Sequence, residues 1–159
     1  MVSVGTRIES ARAAVAAVPD PEIPVLTIDD LGILRGVDEE DGTIVVTITP
    51  TYSGCPAMDH IREEVGRALT GAGFPDAEVR TVYSPAWTTD WMSEEGKRKL
   101  EEFGIAPPGS TGNVLTEQVR CPHCGSIQTR IVSQFGSTAC KALYRCSACL
   151  EPFDHFKPI

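Results

Sequence analysis

A chain of 159 residues, 42% hydrophobic and 23% charged, is long enough for one ordinary core of about 100 residues plus a small appended module. No apolar run approaches the roughly 20 residues that a membrane span needs, and residues 1–19 lack the charge order and unbroken apolar stretch of a signal peptide, so the expectation is a cytoplasmic protein with no membrane partner. The net charge of -8 is uneven, with 6 Lys/Arg against 17 Asp/Glu in residues 1–96 and 8 against 5 in residues 97–159; this argues for two modules with different surfaces and against nucleic acid as a partner of the acidic front.

Ile8, Ala11, Val15 and Val18 recur at helical spacing, predicting an amphipathic helix over residues 3–18 that Pro19 ends. In Asp20-Pro21-Glu22-Ile23-Pro24 the prolines impose an extended path, and both carboxylates are expected to point outward. Residues 33–37 and 43–49 are rich in β-formers, the second with strict alternation. Residues 38–42 carry turn chemistry between them, so a hairpin with one buried face is expected. Pro56 then suits the opening of a helix whose apolar stripe is Met58, Ile61, Val65 and Leu69. Gly71 and Gly73 stop it. A last strand at 77–83 completes a β-β-α-β order behind the N-terminal helix, an α+β fold in which helices cover one sheet.

Cys55 stands beside that second helix's N-terminus, where free backbone N–H groups favour a thiolate. It reads either as a reactive or metal-handling thiol, with Glu22 or Asp29 beside it and Asp20 in support, or as a small buried hydrophobe at a strand-to-helix turn. Residues 85–115 follow as a connector: both tryptophans, Trp87 and Trp91, then a charged helix at 93–103 and the Pro107-Pro108-Gly109-Ser110 linker. The tryptophans fit either a partner anchor or packing of that helix.

The six cysteines of a cytoplasmic chain point to metal or redox chemistry before disulfides. Cys121-Pro122-His123-Cys124-Gly125 is one knuckle, and Cys146-Ser147-Ala148-Cys149, separated from Cys124 by 21 residues, is a second at near zinc-site spacing. With short strands expected at 128–135 and 142–145, residues 116–159 read as a zinc-ribbon-like β module. A module that small buries little core and needs its metal to fold. Four thiolates leave zinc no open position, so the site reads as structural; an iron–sulfur cluster is the alternative occupant. Cys140 and His123 are spare candidates, and the two phenylalanines of residues 151–159 are expected to be exposed, capping the ribbon or docking a partner. The modules are thus 1–84, 85–115 and 116–159. With no phosphate-binding glycine loop, no nucleophile–base spacing and no open-site metal pattern, no enzyme activity is expected.

Asp20-Pro21-Glu22, Leu31-Gly32-Ile33-Leu34 and Thr51-x-x-x-Cys55-Pro56, in this order, resemble the small domain of iron–sulfur assembly factors of the SufT family. In that family the cysteine before the proline is the functional residue, which by resemblance singles out Cys55. The whole chain, including Tyr83-Ser84-Pro85-Ala86-Trp87-Thr88-Thr89-Asp90-Trp91, Cys121-Pro122-His123-Cys124-Gly125-Ser126 and residues 135–146, is similar to the PaaD family, the D subunits of bacterial phenylacetyl-CoA epoxidase. SufT-like factors lack the ribbon. The resemblance implies a non-catalytic accessory protein of aerobic phenylacetate degradation that helps mature an iron–sulfur or di-iron centre. Its partners would be epoxidase subunits, the reductase or the di-iron oxygenase. A stably bound structural subunit and a cluster carrier are the alternatives; a nucleic-acid-binding ribbon rests only on the small basic excess of residues 97–159.

Overall fold

The computed structural model describes residues 3–109 and 118–159, and the chain divides into two compact units, Met1–Trp87 and Thr88–Ile159.

The first unit opens with helix α1, Val4–Ala16, whose N-cap Ser3 accepts the Thr6 N–H and whose Ala11 and Val15 are buried. Strands β1, Leu34–Glu40, and β2, Thr43–Ile48, form an antiparallel hairpin. Only Asp41 and Gly42 make the turn, with φ of 49° and 81°, the left-handed pair that matches strand twist in a two-residue loop. The five-residue turn expected at 38–42 is therefore too long. Asp38, Glu39 and Glu40 instead continue the ladder opposite Val45, Ile44 and Thr43.

Helix α2, Ala57–Gly71, buries the expected stripe of Met58, Ile61, Val65 and Leu69. Gly73, at φ 93°, ends it: the Gly73 N–H donates to Thr70 O at 3.1 Å and the Phe74 N–H to Leu69 O at 2.8 Å, the paired bonds of a glycine-terminated helix. Strand β3, Glu78–Thr81, then lies parallel to β2 in a sheet of order β1-β2-β3, with α2 as the crossover that parallel pairing requires. Strand β2 is central and covered on both faces, so Val45 and Thr49 are buried along with Ile44, Val46 and Ile48. The single buried face read from the alternation is thus half of the arrangement. Trp87 closes the unit, buried, with Nε1 donating to Leu31 O at 2.8 Å.

Asp20 is buried, not outward-facing. Its Oδ1 accepts the N–H groups of Glu22 at 2.9 Å and Ile23 at 2.8 Å. An extended proline-flanked loop leaves backbone donors without ladder partners, and a short carboxylate turned back on its own chain satisfies them.

The second unit begins with a 3-10 turn, Thr89–Trp91, and helix α3, Glu94–Glu102, capped by Ser93 Oγ accepting the Gly96 N–H at 2.9 Å. Its sheet runs β4-β7-β6-β5, with β4 Ile105–Ala106, β5 Thr129–Ser133, β6 Lys141–Cys146 and β7 Pro152–Phe156. Strands β5 and β6 fall where expected. Strands β4 and β7 are not expected from the sequence: β4 lies inside the stretch read as connector, yet pairs with Asp154 and His155 of β7. Because β7 is paired on both sides, Phe153 and Phe156 are buried at 4% and 2% exposure, which corrects the expectation of exposed phenylalanines. Residues 110–117, with Ser110 and the start of the 116–159 module, lie outside the described residues.

Candidate metal centre and thiol site

The first knuckle curls because Gly125 takes a φ of 77° and donates its N–H to Cys121 O at 2.9 Å, while the Cys121 N–H donates to Ser126 O at 2.9 Å. The second begins at the last residue of β6. Cys146 donates its N–H to Glu151 O at 3.0 Å, and its sulfur receives the N–H groups of Ala148 at 3.4 Å and Cys149 at 3.5 Å. Leu150, at φ 68°, turns the chain back into β7.

The fold brings Cys121, Cys124, Cys146 and Cys149 together, with all four sulfurs within 4.8 Å of one another. The Cys121–Cys149 and Cys124–Cys146 sulfurs are 3.8 and 3.5 Å apart. A tetrahedral ion with bonds of about 2.3 Å places its sulfur ligands about 3.8 Å apart, so donor set and spacing fit zinc. Cys121 and Cys146 also belong to a small apolar cluster with Ala106, Val119 and Phe153, which excludes water from one side of the site.

Without a cation the quartet is electrostatically uneven. The Cys149 N–H, helped by that of Ala148, draws the Cys146 thiol down to about 6. The Glu151 backbone pulls Cys149 down too, but desolvation and the neighbouring sulfurs outweigh it and push Cys149 up to about 12. One thiolate forms readily and a second resists, as expected of clustered like charges.

The spare candidates stand apart from the quartet. His123 is exposed, its ring edge-on to Phe153 at 6.5 Å between centroids. Cys140 is buried, its sulfur 2.9 Å from Thr138 Oγ1. In the first unit Cys55 is half-buried and closes a turn through its N–H to Tyr52 O at 3.3 Å, with Gly54 at φ 75°. Its carbonyl accepts the Met58 N–H at 3.2 Å, immediately before Pro56, the N-cap of α2. Asp29 is exposed, 4.0 Å from Arg12, Glu22 is half-buried, and Asp20 is engaged with its own loop. Among the described residues the ribbon quartet is the group of three or more Cys, His, Asp or Glu that converges on a point; Cys55 and the three acids are not gathered in that way. His155, which the sequence gives no reason to single out, is buried, with Nδ1 3.2 Å from Ala106 O and its ring edge-on to Tyr144.

Residues 106–157 match the family described as PaaD zinc beta ribbon domain, and residues 8–82 match the family described as Iron-sulfur cluster assembly protein. Zinc is accordingly the cofactor that both the ribbon family and the four clustered thiols support. The chain is 51% identical over 149 residues to a protein of Escherichia coli (strain K12) named as a 1,2-phenylacetyl-CoA epoxidase subunit, covering 92% of this chain and 90% of that one. It is 42% identical over 96 residues to the Fe-S protein maturation auxiliary factor YitW of Bacillus subtilis (strain 168), covering 58% of this chain and 91% of the relative. Among solved structures, a domain of unknown function, DUF59, from Bacillus anthracis matches with a TM-score of 0.54 at 31% identity, over 60% of this chain and 92% of that one. The fold is therefore the expected one, an α+β domain of the iron–sulfur assembly type followed by a β zinc ribbon. No helix among the described residues is long and apolar enough to cross a membrane.

Proposed function

The chain belongs to the PaaD family, the D subunits of phenylacetyl-CoA epoxidase, and from that premise we propose that it is a cytoplasmic, non-catalytic accessory protein that matures a metal centre of that epoxidase. The observation that carries the reading is the fusion itself: an iron–sulfur assembly domain and a zinc ribbon in one chain. Within it, residues 1–84 form the assembly module, 85–115 the connector and 116–159 the ribbon. Cys121, Cys124, Cys146 and Cys149 hold structural zinc, which supplies folding energy and no open coordination position.

Iron or a preformed cluster is then cargo, and the reductase or the di-iron oxygenase is the client. Cys55 is the residue assigned to the cargo. Cys55 is half-buried at the approach to α2, and its sulfur is a soft donor of the kind iron and iron–sulfur clusters take. Glu22 or Asp29, each in a preceding loop, is the supporting group, one at a time, since the two acids and Cys55 form no converging trio. Asp20, His123 and Cys140 serve local structure.

The test is to co-express the epoxidase subunits with wild type or Cys55→Ala and assay epoxidation. The variant is expected to fold and keep its zinc while the epoxidase stays inactive; full epoxidase activity would sink the reading. A stably bound structural subunit is the second reading, favoured by the designation of the E. coli relative as a subunit. It requires stoichiometric co-elution with the oxygenase on gel filtration.

A further inference from the structure

Strand β5 is an edge of the second sheet, paired with β6 alone. Such an edge presents a row of open backbone donors and acceptors to any incoming chain. Here it also presents apolar side chains: Ile131 and Val132 are 50% and 56% exposed, and Phe135 just beyond is 67% exposed. A register shift leaves Val132 unpaired between Ile131 and Ser133.

The two faces beside this edge differ in chemistry. On one, Arg130 lies directly opposite Arg145, and both are exposed. Like charges so placed destabilise a sheet. Arg145 Nε donates to Leu150 O at 3.2 Å, and neither guanidinium has an ion pair among the described residues, whose ion pairs all fall within residues 7–102. Over 118–159, Arg120, Arg130, Lys141, Arg145 and Lys157 face only Glu151 and Asp154. On the other face, Ile131 lies opposite Tyr144 and borders an open cavity of about 410 Å³ walled by the apolar Ala142, Tyr144 and Pro158 and by the polar Gln134, His155 and Lys157.

We propose that the β5 edge receives an extended segment of a partner protein whose side chains alternate acidic and apolar. The carboxylates lie against Arg130 and Arg145, and the apolar side chains point into the cavity beside Ile131. Alternate residues of an added strand face opposite sides of the sheet, which matches one basic face and one concave face whose wall nearest the strand edge is the apolar Ile131 and Tyr144. Strand addition takes affinity from the main chain and specificity from pockets for alternate side chains. The inference goes beyond the maturation reading by naming the partner's chemistry. It is tested without any maturation assay, so the two fail separately.

Zinc-loaded full-length protein is titrated with a fluorescent peptide alternating glutamate and valine, beside lysine–valine and glutamate–serine controls, and amide exchange is followed over Thr129–Ser133. The glutamate–valine peptide should bind about tenfold or more tighter than either control, slow exchange in β5, and lose about tenfold or more in Arg130→Glu and in Arg145→Glu, both of which keep their zinc. Equal binding of the lysine peptide, unchanged exchange in β5 or undiminished binding by the variants overturns the proposal. So does displacement of the peptide by single-stranded DNA that binds this edge more tightly, which gives the edge to nucleic acid. Self-association abolished by Arg130→Glu also overturns it, since it gives the edge to a second copy.

Discussion

Cys124 Sγ lies 3.5 Å from Cys146 Sγ although the two residues are 22 positions apart. Backbone curls at the two knuckles bring the sulfurs together, but four thiols this close repel as they ionise, so a bound cation stabilises the ribbon.

The first prediction concerns that dependence. Cys124→Ala removes one of four ligands, and structural zinc contributes about 10–16 kcal/mol in small metal modules. The variant should therefore lose its zinc and exchange the amides of β6 and β7 faster, while Cys140→Ala, whose thiol lies outside the quartet, should retain one zinc per chain. Elemental analysis beside an acid-labile sulfide assay checks this. Iron with sulfide would instead assign the quartet to a cluster.

The proton count on metal loading follows from the uneven thiols. In the metal-free ribbon Cys146 is drawn down to about 6 and Cys149 pushed up to about 12. A thiol lowered from the ordinary value of 9.0 favours the folded state above that value, and the advantage is lost as pH falls through about 6. A raised thiol favours the folded state below 9.0, and that advantage is lost as pH rises through about 12. At about pH 7.5 zinc must displace a proton from Cys149 but not from Cys146, whereas below about pH 6 it must displace both. Calorimetric titration with zinc in buffers of different ionisation enthalpy should show release rising by about one proton across that interval. A flat count contradicts the assignment.

Asp20 separates a structural role from a functional one. Asp20→Ala leaves the N–H groups of Glu22 and buried Ile23 without their acceptor, a loss of about 1–3 kcal/mol. Asn keeps one acceptor oxygen and should lose less. Denaturant titration followed by amide exchange in the first unit reads the effect. Unchanged stability with lost epoxidase maturation would place Asp20 in the cargo site instead.

What was legible in the sequence depended on whether the signal was local. Met58, Ile61, Val65 and Leu69 announce α2 because a helix repeats its buried face every 3.6 residues, and the cysteine quartet announces itself because each knuckle is a local turn. Strand β4 has only two residues, too few for any period. In β7 the Phe153–His155 alternation was present, but Pro152 and the flanking polar residues masked a strand whose burial comes from partners on both sides. The direction of Asp20 was not legible either, because a carboxylate turns toward whichever amides lack partners, and only the folded loop decides which those are. Around Cys55 no group of three or more Cys, His, Asp or Glu converges among the described residues, and the order of motifs along a chain does not by itself set which side chains meet.

Trp87 gives the last prediction. It is 4% exposed and donates Nε1–H to Leu31 O at 2.8 Å, just ahead of Gly32, whose φ of 74° sets the chain's path into β1. Trp87→Phe keeps an aromatic ring but removes the donor, leaving the Leu31 carbonyl buried and unsatisfied, and it removes part of the buried ring. Together these should cost about 1–4 kcal/mol. The loss belongs to the first unit, so amide exchange should quicken across β1, β2 and α2 while zinc content stays at one per chain. A partner-anchor role for Trp87 makes the opposite forecast: unchanged exchange and a weakened client complex. Buried ring and satisfied indole together favour the first outcome.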